Sequence, residues 1–274
     1  MGLIAGILDG VLCLVLYIRM CGREVPEPMG KKSAIPVALG FLAPLVSTLL
    51  LVGFGLIVNQ VTGGQGQPLA GLVPTYTLKS LVAAFIGAGF PEELVKFLFL
   101  LLSMKLVKPK NVYECGLLGA GVGAGFTFLE EMLYGGGNVV NALIRLPFFA
   151  MHVVFDLIMG LFLGLALYGK KNGRSGTKKY AFLALFVPVL WHTVFDASTT
   201  FNKILTAGVD TDNDFLKYAG AAFALVVIVI SVALQVWGLI QFKKRTEELC
   251  AMDISPQRSH PRHSSRQPSQ TDRG

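Results

Sequence analysis

Seven apolar runs, each about as long as a membrane-crossing helix, constrain the fold more than any other feature of the sequence. A hydrocarbon layer about 30 Å thick takes about 20 helical residues to cross. Hydrophobic residues make up 53% of the chain and charged residues only 15%, against about 25% charged residues in soluble domains. We therefore predict an all-α, multi-pass integral membrane protein whose helices form a bundle. The runs lie at about Leu3–Ile18, Ile35–Val58, Leu78–Met104, Val112–Tyr134, Ile144–Tyr168, Tyr180–Thr199 and Leu216–Gln241.

Basic residues alternate between the segments that join these runs. The segments after the first, third, fifth and seventh runs carry clusters of Lys and Arg, whereas the other segments are poor in them. Because basic segments stay on the cytosolic side, this alternation predicts an N-terminus outside and a C-terminus in the cytosol. The formal net charge of +7 comes from short clusters between apolar runs, so it does not indicate a nucleic-acid partner.

The composition changes after the seventh run. The chain continues with Lys243-Lys-Arg245 and then with a stretch rich in Ser, Arg, Pro, Gln and His. Such a stretch cannot bury enough apolar surface to offset the entropy of ordering it. We therefore predict that residues 1–242 form a transmembrane domain and that residues 243–274 are a disordered, basic cytosolic tail.

The fourth run begins with the glycine-rich stretch Gly116-Leu-Leu-Gly-Ala-Gly-Val-Gly-Ala-Gly125. Small residues at a spacing of four let membrane helices approach closely. A phosphate-binding glycine loop would need a preceding strand and a water-facing loop, and the sequence predicts neither. We expect this helix to pack tightly and to bring Glu130 and Glu131, near its end, against its neighbours.

Three charged residues stand halfway along the third run, where they are costly in hydrocarbon and typical of a functional site. They are Glu92, Glu93 and Lys96. Either carboxylate can pair with the lysine on the same helix, at a spacing of three or four. Since adjacent helical residues point about 100° apart, we expect one glutamate to hold the lysine and the other to face a cavity.

Two further pairs share a sequence pattern, His152-Val-Val-Phe-Asp156 and His192-Thr-Val-Phe-Asp196. In each, the i,i+4 spacing places an imidazole and a carboxylate on one helix face. A single pair of this kind is typical of a helix-packing hydrogen bond. Two matching pairs together with the glutamates favour one shared site.

The predicted topology lets these groups meet. With a helical rise of about 1.5 Å per residue, Glu92, Glu130, His152 and His192 can all reach the outer half of the bundle. A carboxylate that deprotonates a water typically contributes about 10²–10⁴ in rate, and a second histidine can donate to an oxyanion. The set is therefore suited to peptide hydrolysis. Ser47, Thr48 and Ser103 have no His or Asp partner nearby in the sequence, and the four cysteines lack metal-site spacing.

The order of these motifs resembles that of the PrsW-like intramembrane proteases, a family related to the CAAX-processing proteases. The resemblance covers about residues 81–197 and implies a glutamic-type endopeptidase with a catalytic core of about residues 78–200. It also implies that membrane-anchored proteins are the substrates and that the bilayer is the other partner. The matching motifs are E-E-x-x-K at Glu92, Glu93 and Lys96, G-F-x-x-x-E at Gly125, Phe126 and Glu130, His152 with Gly160, and His192 with Asp196.

The resemblance also implies residue roles. Glu92, or else Glu93, would be the general base that activates a water. His152 would help to position that water. His192 with Asp196 would stabilise the oxyanion of the tetrahedral intermediate.

Glu130 would complete the cluster. The family often has asparagine at the next position, where this chain has Glu131. An asparagine can donate a hydrogen bond and an ionised glutamate cannot, so that position departs from the family pattern.

No cofactor is expected, although zinc stays open as an alternative. The sequence lacks H-E-x-x-H, the usual zinc motif of soluble metalloproteases. Glutamate and histidine side chains can nevertheless ligate zinc. The candidate ligands would be Glu92, Glu130, His152 and His192.

Other functional classes fit part of the pattern. An ion or proton-coupled transporter also uses buried Glu, Lys and His. A seven-helix receptor shares the predicted topology, but the D-R-Y-type and N-P-x-x-Y-type segments of the largest such family are absent. A haem protein would use His152 and His192 as axial ligands.

Overall fold

The computed structural model describes residues 2–24, 28–61, 76–135 and 145–255. In these ranges the regular secondary structure is helical, with no strand, so the predicted all-α class is confirmed. Short 3₁₀ turns precede the second and sixth helices. The α-helices are α1 Gly2–Cys21, α2 Ala34–Val61, α3 Tyr76–Ala84, α4 Phe90–Val107, α5 Val112–Gly135, α6 Met151–Lys171, α7 Thr177–Ser198, α8 Lys203–Asp210, α9 Asp214–Lys244 and α10 Thr246–Ala251.

Six stretches of the described residues are long and apolar enough to cross a membrane. They correspond to all the predicted runs except the third, and the chain is a multi-pass integral membrane protein. Ile144, the predicted start of the fifth run, lies outside the described residues. The stretches are Leu3–Cys21, Gly30–Gly53, Val112–Leu133, Leu146–Lys171, Thr177–Val209 and Asp214–Lys244.

The third predicted run is helical but interrupted. One turn of π-helix, Phe85–Gly89, joins α3 to α4. Pro91 follows directly; it has no backbone N–H, and in a regular helix its ring would clash with the carbonyl of Gly87. A π-helical turn accommodates such a residue and is frequent at functional sites. Here it ends at Gly89, three residues before Glu92.

The centre of the bundle is α5, which packs against α1, α2 and α6. A Cβ atom added at Gly119 would overlap the carbonyl oxygen of Asp156, and one added at Gly123 would overlap the carbonyl oxygen of His152. The predicted close packing of the glycine-rich helix is therefore confirmed. The two backbones touch at the residues that carry the candidate site.

The basic segments gather at one end of the bundle. The Tyr113 hydroxyl, at the start of α5, donates to the Met20 carbonyl near the end of α1 at 2.8 Å. Lys171, at the end of α6, donates to Asp253 at 2.7 Å. The predicted alternation thus brings these segments together, and which side of the membrane they face stays a prediction.

The predicted disorder of the tail is wrong for residues 243–255. The helix α9 continues to Lys244, and α10 follows at Thr246–Ala251. Leu249 is buried in the main core, and the Val112 N–H donates to the Met252 carbonyl at 3.1 Å. The prediction used the average composition of the whole tail, which is polar, and therefore missed this short apolar segment. Residues 256–274 lie outside the described residues.

Candidate active site

Glu93 stands at the centre of a buried polar cluster between α4, α5, α6 and α7. Its Oε1 atom accepts from the Lys96 ammonium at 2.5 Å and lies 2.8 Å from His192 Nδ1. The side chains of Glu93 and Lys96 are both fully buried. Removing two charges from water is costly unless additional hydrogen bonds surround them, and the histidine supplies one of these.

Lys96 links this ion pair to the other histidine. Its Nζ atom lies 3.1 Å from His152 Nδ1 and 4.1 Å from the centre of the Phe126 ring, in cation–π range. An ammonium group only donates, so His152 Nδ1 accepts. A neutral His152 therefore carries its proton on Nε2, which lies 2.9 Å from Glu130 Oε2.

His192 turns its second nitrogen toward two other carboxylates. Its Nε2 atom lies 3.5 Å from Asp196 Oδ2 and 3.9 Å from Glu92 Oε2. The rings of His152 and His192 are 5.1 Å apart, centre to centre. The His192 ring is thus held by Glu93 on one side and open toward Glu92 and Asp196 on the other.

Glu92 and Glu93 differ in what they contact. The side chain of Glu92 is 19% exposed and that of Glu93 is fully buried. Within the described ranges, the one ion pair of Glu92 is the 3.9 Å contact with His192. The sequence-based expectation that one glutamate holds the lysine is confirmed, and Glu93 is that residue.

Glu130 is held from both sides. His152 contacts its Oε2 atom, and the Arg145 Nη2 group donates to its Oε1 atom at 3.2 Å. Arg145 also donates to Glu131, through Nη2 at 2.7 Å and through Nε at 2.9 Å. Glu131 is therefore an acceptor for an arginine, a role that an ionised carboxylate fills and an amide fills less well.

Asp156 does not pair with the histidine on its own helix. It is fully buried and close enough to Lys96 and Glu93 to interact with them electrostatically. Neither of its oxygens has a hydrogen-bond donor among the described residues. It belongs to the buried side of the cluster.

The structure brings together every residue that the sequence predicted for the site, which are Glu92, Glu93, Glu130, His152, His192 and Asp196. Their catalytic roles stay predictions. Sequence reasoning placed Asp156 in the shared site as the partner of His152 and gave it no catalytic role; it did not identify Arg145, nor Lys96 as the link to His152. Arg145 could have been found, because it is an isolated basic residue shortly after two adjacent glutamates.

A metal ion would have to compete with Lys96. Glu93, His152 and His192 each offer a donor atom, and these atoms lie within 4.8 Å of one another. Two histidines and one glutamate form a common catalytic zinc set. The Lys96 ammonium, however, already contacts Glu93 and His152. In this arrangement the ammonium group occupies contacts that a metal ion would need.

The three residues also differ from the predicted zinc ligands. Glu93 takes the place of Glu92 and Glu130. Glu92 lies beyond hydrogen-bond distance of His192, and Glu130 is already held by His152 and Arg145.

Comparison with known proteins gives one family. A family model described as "PrsW family intramembrane metalloprotease" matches residues 36–241. The range begins near the start of α2, ends within α9 and contains the whole polar cluster. No solved structure shows a significant match to the chain.

Curated relatives carry the name Protease PrsW. The protein from Halalkalibacterium halodurans is 37% identical over 121 residues, which are 43% of this chain and 54% of the relative. The protein from Bacillus subtilis is 34% identical over 121 residues, with the same two shares. The protein from Clostridioides difficile is 32% identical over 129 residues, 42% of this chain and 51% of the relative. The chain thus spans about half the length of the curated relatives it matches.

Proposed function

Because the chain belongs to the PrsW family of intramembrane metalloproteases, we propose that it is an intramembrane endopeptidase acting on membrane-anchored proteins. The observation that carries the proposal is the 3.9 Å separation between Glu92 Oε2 and His192 Nε2. It is too long for a direct hydrogen bond and suited to one bridging water. The residues around it are organised to hold both groups in place.

Glu92 is the general base. It is the carboxylate that the lysine does not neutralise, and it is partly exposed. A water between Glu92 and His192 gives its proton to Glu92 as its oxygen attacks the peptide carbon. When the carbon–nitrogen bond breaks, Glu92 passes the proton to the leaving amine. A base in this position contributes about 10²–10⁴ in rate.

His192 stabilises the oxyanion. Glu93 Oε1 accepts from its Nδ1–H at 2.8 Å, which fixes the ring. In the protonated ring, Nε2–H donates toward the tetrahedral intermediate, and Asp196 at 3.5 Å orients it. Preorganised donors of this kind are usually the largest single contribution to acyl-transfer catalysis.

His152 is a positioning residue. Both of its ring nitrogens are engaged, one by Lys96 and the other by Glu130. The family resemblance implied that it helps to position the water. Its contacts support an indirect role in positioning the water. It packs against the His192 ring and accepts from Lys96, and so helps to hold His192 and the Glu93–Lys96 ion pair in place.

The proposed hydrolysis needs no metal ion. If zinc displaced Lys96, Glu93, His152 and His192 would hold it, and it would supply an acidified water. A chelator separates the two cases. Without metal dependence, phenanthroline leaves the cleavage rate unchanged. Activity that is lost with phenanthroline and restored by zinc would show that the metal-free mechanism is wrong.

The cluster lies toward the end of α5 and the start of α6, away from the basic segments. With the predicted orientation this is the outer half of the membrane. We therefore expect substrates to be cut near the non-cytosolic side. Mass spectrometry of the products tests this, and a cut deep on the cytosolic side would contradict it.

A cleavage assay in lipid tests the activity itself. We expect the unmodified protein to cut a membrane-anchored substrate and Glu92→Gln to lose at least about 10² in rate. Glu247→Gln, an exposed glutamate of α10, is the control and should leave the rate unchanged. Proton flux into proteoliposomes tests the transporter alternative. Flux that depends on Glu92, with no cleavage, would replace the protease proposal.

A further inference from the structure

A cavity lies outside the candidate active site, between α6, α7 and α9. Its volume is about 230 Å³. The Phe155 ring lines it and separates it from the two histidines, with its centre 6.3 Å from each imidazole. Most of its other walls are apolar, and they include Val154, Ile158, Pro188, Leu234 and Trp237.

Two polar groups on the cavity wall have no partner within the described ranges. Gln235 is 6% exposed, and its Nε2 atom donates to the Pro147 carbonyl at 3.1 Å. That bond fixes the amide and leaves the Oε1 atom without a donor. The indole Nε1–H of Trp191 is buried and has no acceptor. Both side chains line the cavity.

Unpaired buried polar groups are rare in folded proteins, and a membrane offers no bulk water to satisfy them. One of these groups is a donor and the other an acceptor. A single hydroxyl can accept from an N–H and donate to a carbonyl oxygen at the same time. An apolar cavity with a few convergent polar groups is the usual form of a small-molecule site.

We propose that this cavity binds the hydroxyl end of a neutral, alcohol-type lipid. The hydroxyl accepts from Trp191 Nε1–H and donates to Gln235 Oε1, and the alkyl chain lies along the apolar wall. The described lining residues carry no formal charge, so they do not favour a phosphate or carboxylate head. Trp237 on the same wall is 60% exposed, so the cavity is bordered by a lipid-facing side chain.

The two tryptophans give a direct readout. The chain has two in total, Trp191 and Trp237, and both line the cavity. Bromohexanol should quench their fluorescence saturably when added to the full-length protein in lipid nanodiscs. Bromohexane has the same length but no hydroxyl. At equal mole fraction in the bilayer it should bind about threefold to tenfold more weakly, since it lacks the hydrogen bonds.

Variants separate the hydroxyl contacts from the apolar ones. Gln235→Leu removes the acceptor and should weaken bromohexanol binding about threefold to tenfold, while bromohexane binding is unchanged. Trp191→Phe removes the donor, keeps Trp237 as the reporter and should act in the same direction. Ser231→Ala is the matched control on α9, because its hydroxyl already donates to the Val227 carbonyl at 2.7 Å; it should change neither affinity.

Equal affinity for the alcohol and the alkane would overturn the proposal. It would mean that the cavity takes only apolar chains, or that water holds the two polar groups. A preference for the alcohol that survives both Gln235→Leu and Trp191→Phe would overturn it as well. Bromohexane binding in each variant shows that the cavity is still formed.

Discussion

Two stretches of the molecule share a sequence pattern and differ in their surroundings. In His192-Thr-Val-Phe-Asp196, on α7, the histidine contacts its own aspartate at 3.5 Å. In His152-Val-Val-Phe-Asp156, on α6, the aspartate makes no such contact and is fully buried. Identical i,i+4 spacing therefore does not give identical roles, because residues on neighbouring helices decide which pair forms.

The neighbours of the α6 stretch explain the difference. Lys96 and Glu130 occupy the two nitrogens of His152, and Asp156 is close enough to Glu93 to interact with it electrostatically. The backbone carbonyls of both residues abut glycines of α5. The α6 stretch is thus enclosed by other helices, and it supports the cluster.

The α7 stretch lies at a more open position. The side chain of Asp196 is 15% exposed and that of Glu92 is 19% exposed. His192 faces both through one nitrogen. We propose that substrate and water reach the cluster at the α7 stretch, which predicts catalytic defects there and folding defects at α6.

The largest expected effect is at His192. His192→Ala should lower kcat/KM by about 10²–10⁴, because the oxyanion loses its donor. His152→Ala should lower the unfolding temperature more than His192→Ala does, because Lys96 and Glu130 each lose one of their buried contacts. Thermal unfolding in lipid and the cleavage assay measure the two effects. If both variants lost the same activity and neither lost stability, the proposed difference between a catalytic α7 stretch and a supporting α6 stretch would be wrong.

The second prediction concerns the ion pair between Glu93 and Lys96, which contacts His152 of the α6 stretch. Lys96→Met leaves Glu93 as an uncompensated buried charge and should cost about 3–5 kcal/mol of unfolding free energy. The double variant Glu93→Leu/Lys96→Met removes both charges and should recover part of that loss, without activity. Unfolding in mixed micelles gives these values. A single variant as stable as the unmodified protein would show that Lys96 does not support this cluster.

A smaller effect on stability is expected at the contact between α5 and α6. Gly123→Ala places a methyl group against the His152 carbonyl, and such overpacking costs about 1–3 kcal/mol. Gly53→Ala in α2 is the matched control, since among the described residues no atom lies within 4 Å of its added methyl group. It should be neutral or slightly stabilising, because alanine favours helix over glycine by about 1 kcal/mol. Equal effects at the two glycines would argue against the close α5–α6 contact.

The sequence predicted the helices and the membership of the cluster. Hydropathy can identify each span from its own segment of sequence, and the described parts of all the predicted runs are mainly helical. Ionisable residues inside hydrocarbon are costly, so the few that occur, including Glu92 and His192, were recognisable as site candidates without any structure.

The sequence did not predict the pairing within the cluster. Which carboxylate reaches which imidazole depends on how each helix is rotated against its neighbours, and spacing along one helix carries no such information. The contacts of His152 with Lys96 and with Glu130 depend on helix rotation in this way. The π-helical turn before Pro91 and the ordering of α10 likewise depend on tertiary contacts.

The division of work between Glu92 and Glu93 is tested most directly by measuring cleavage rate and unfolding free energy for Glu92→Gln and Glu93→Gln in the same lipid. Glu92→Gln should lose about 10²–10⁴ in rate, with a stability change within about 0.5 kcal/mol. Glu93→Gln should lower the unfolding free energy by at least about 1 kcal/mol, since Lys96 loses its buried counter-charge. Full cleavage activity in Glu92→Gln would contradict the assignment of Glu92 as the base.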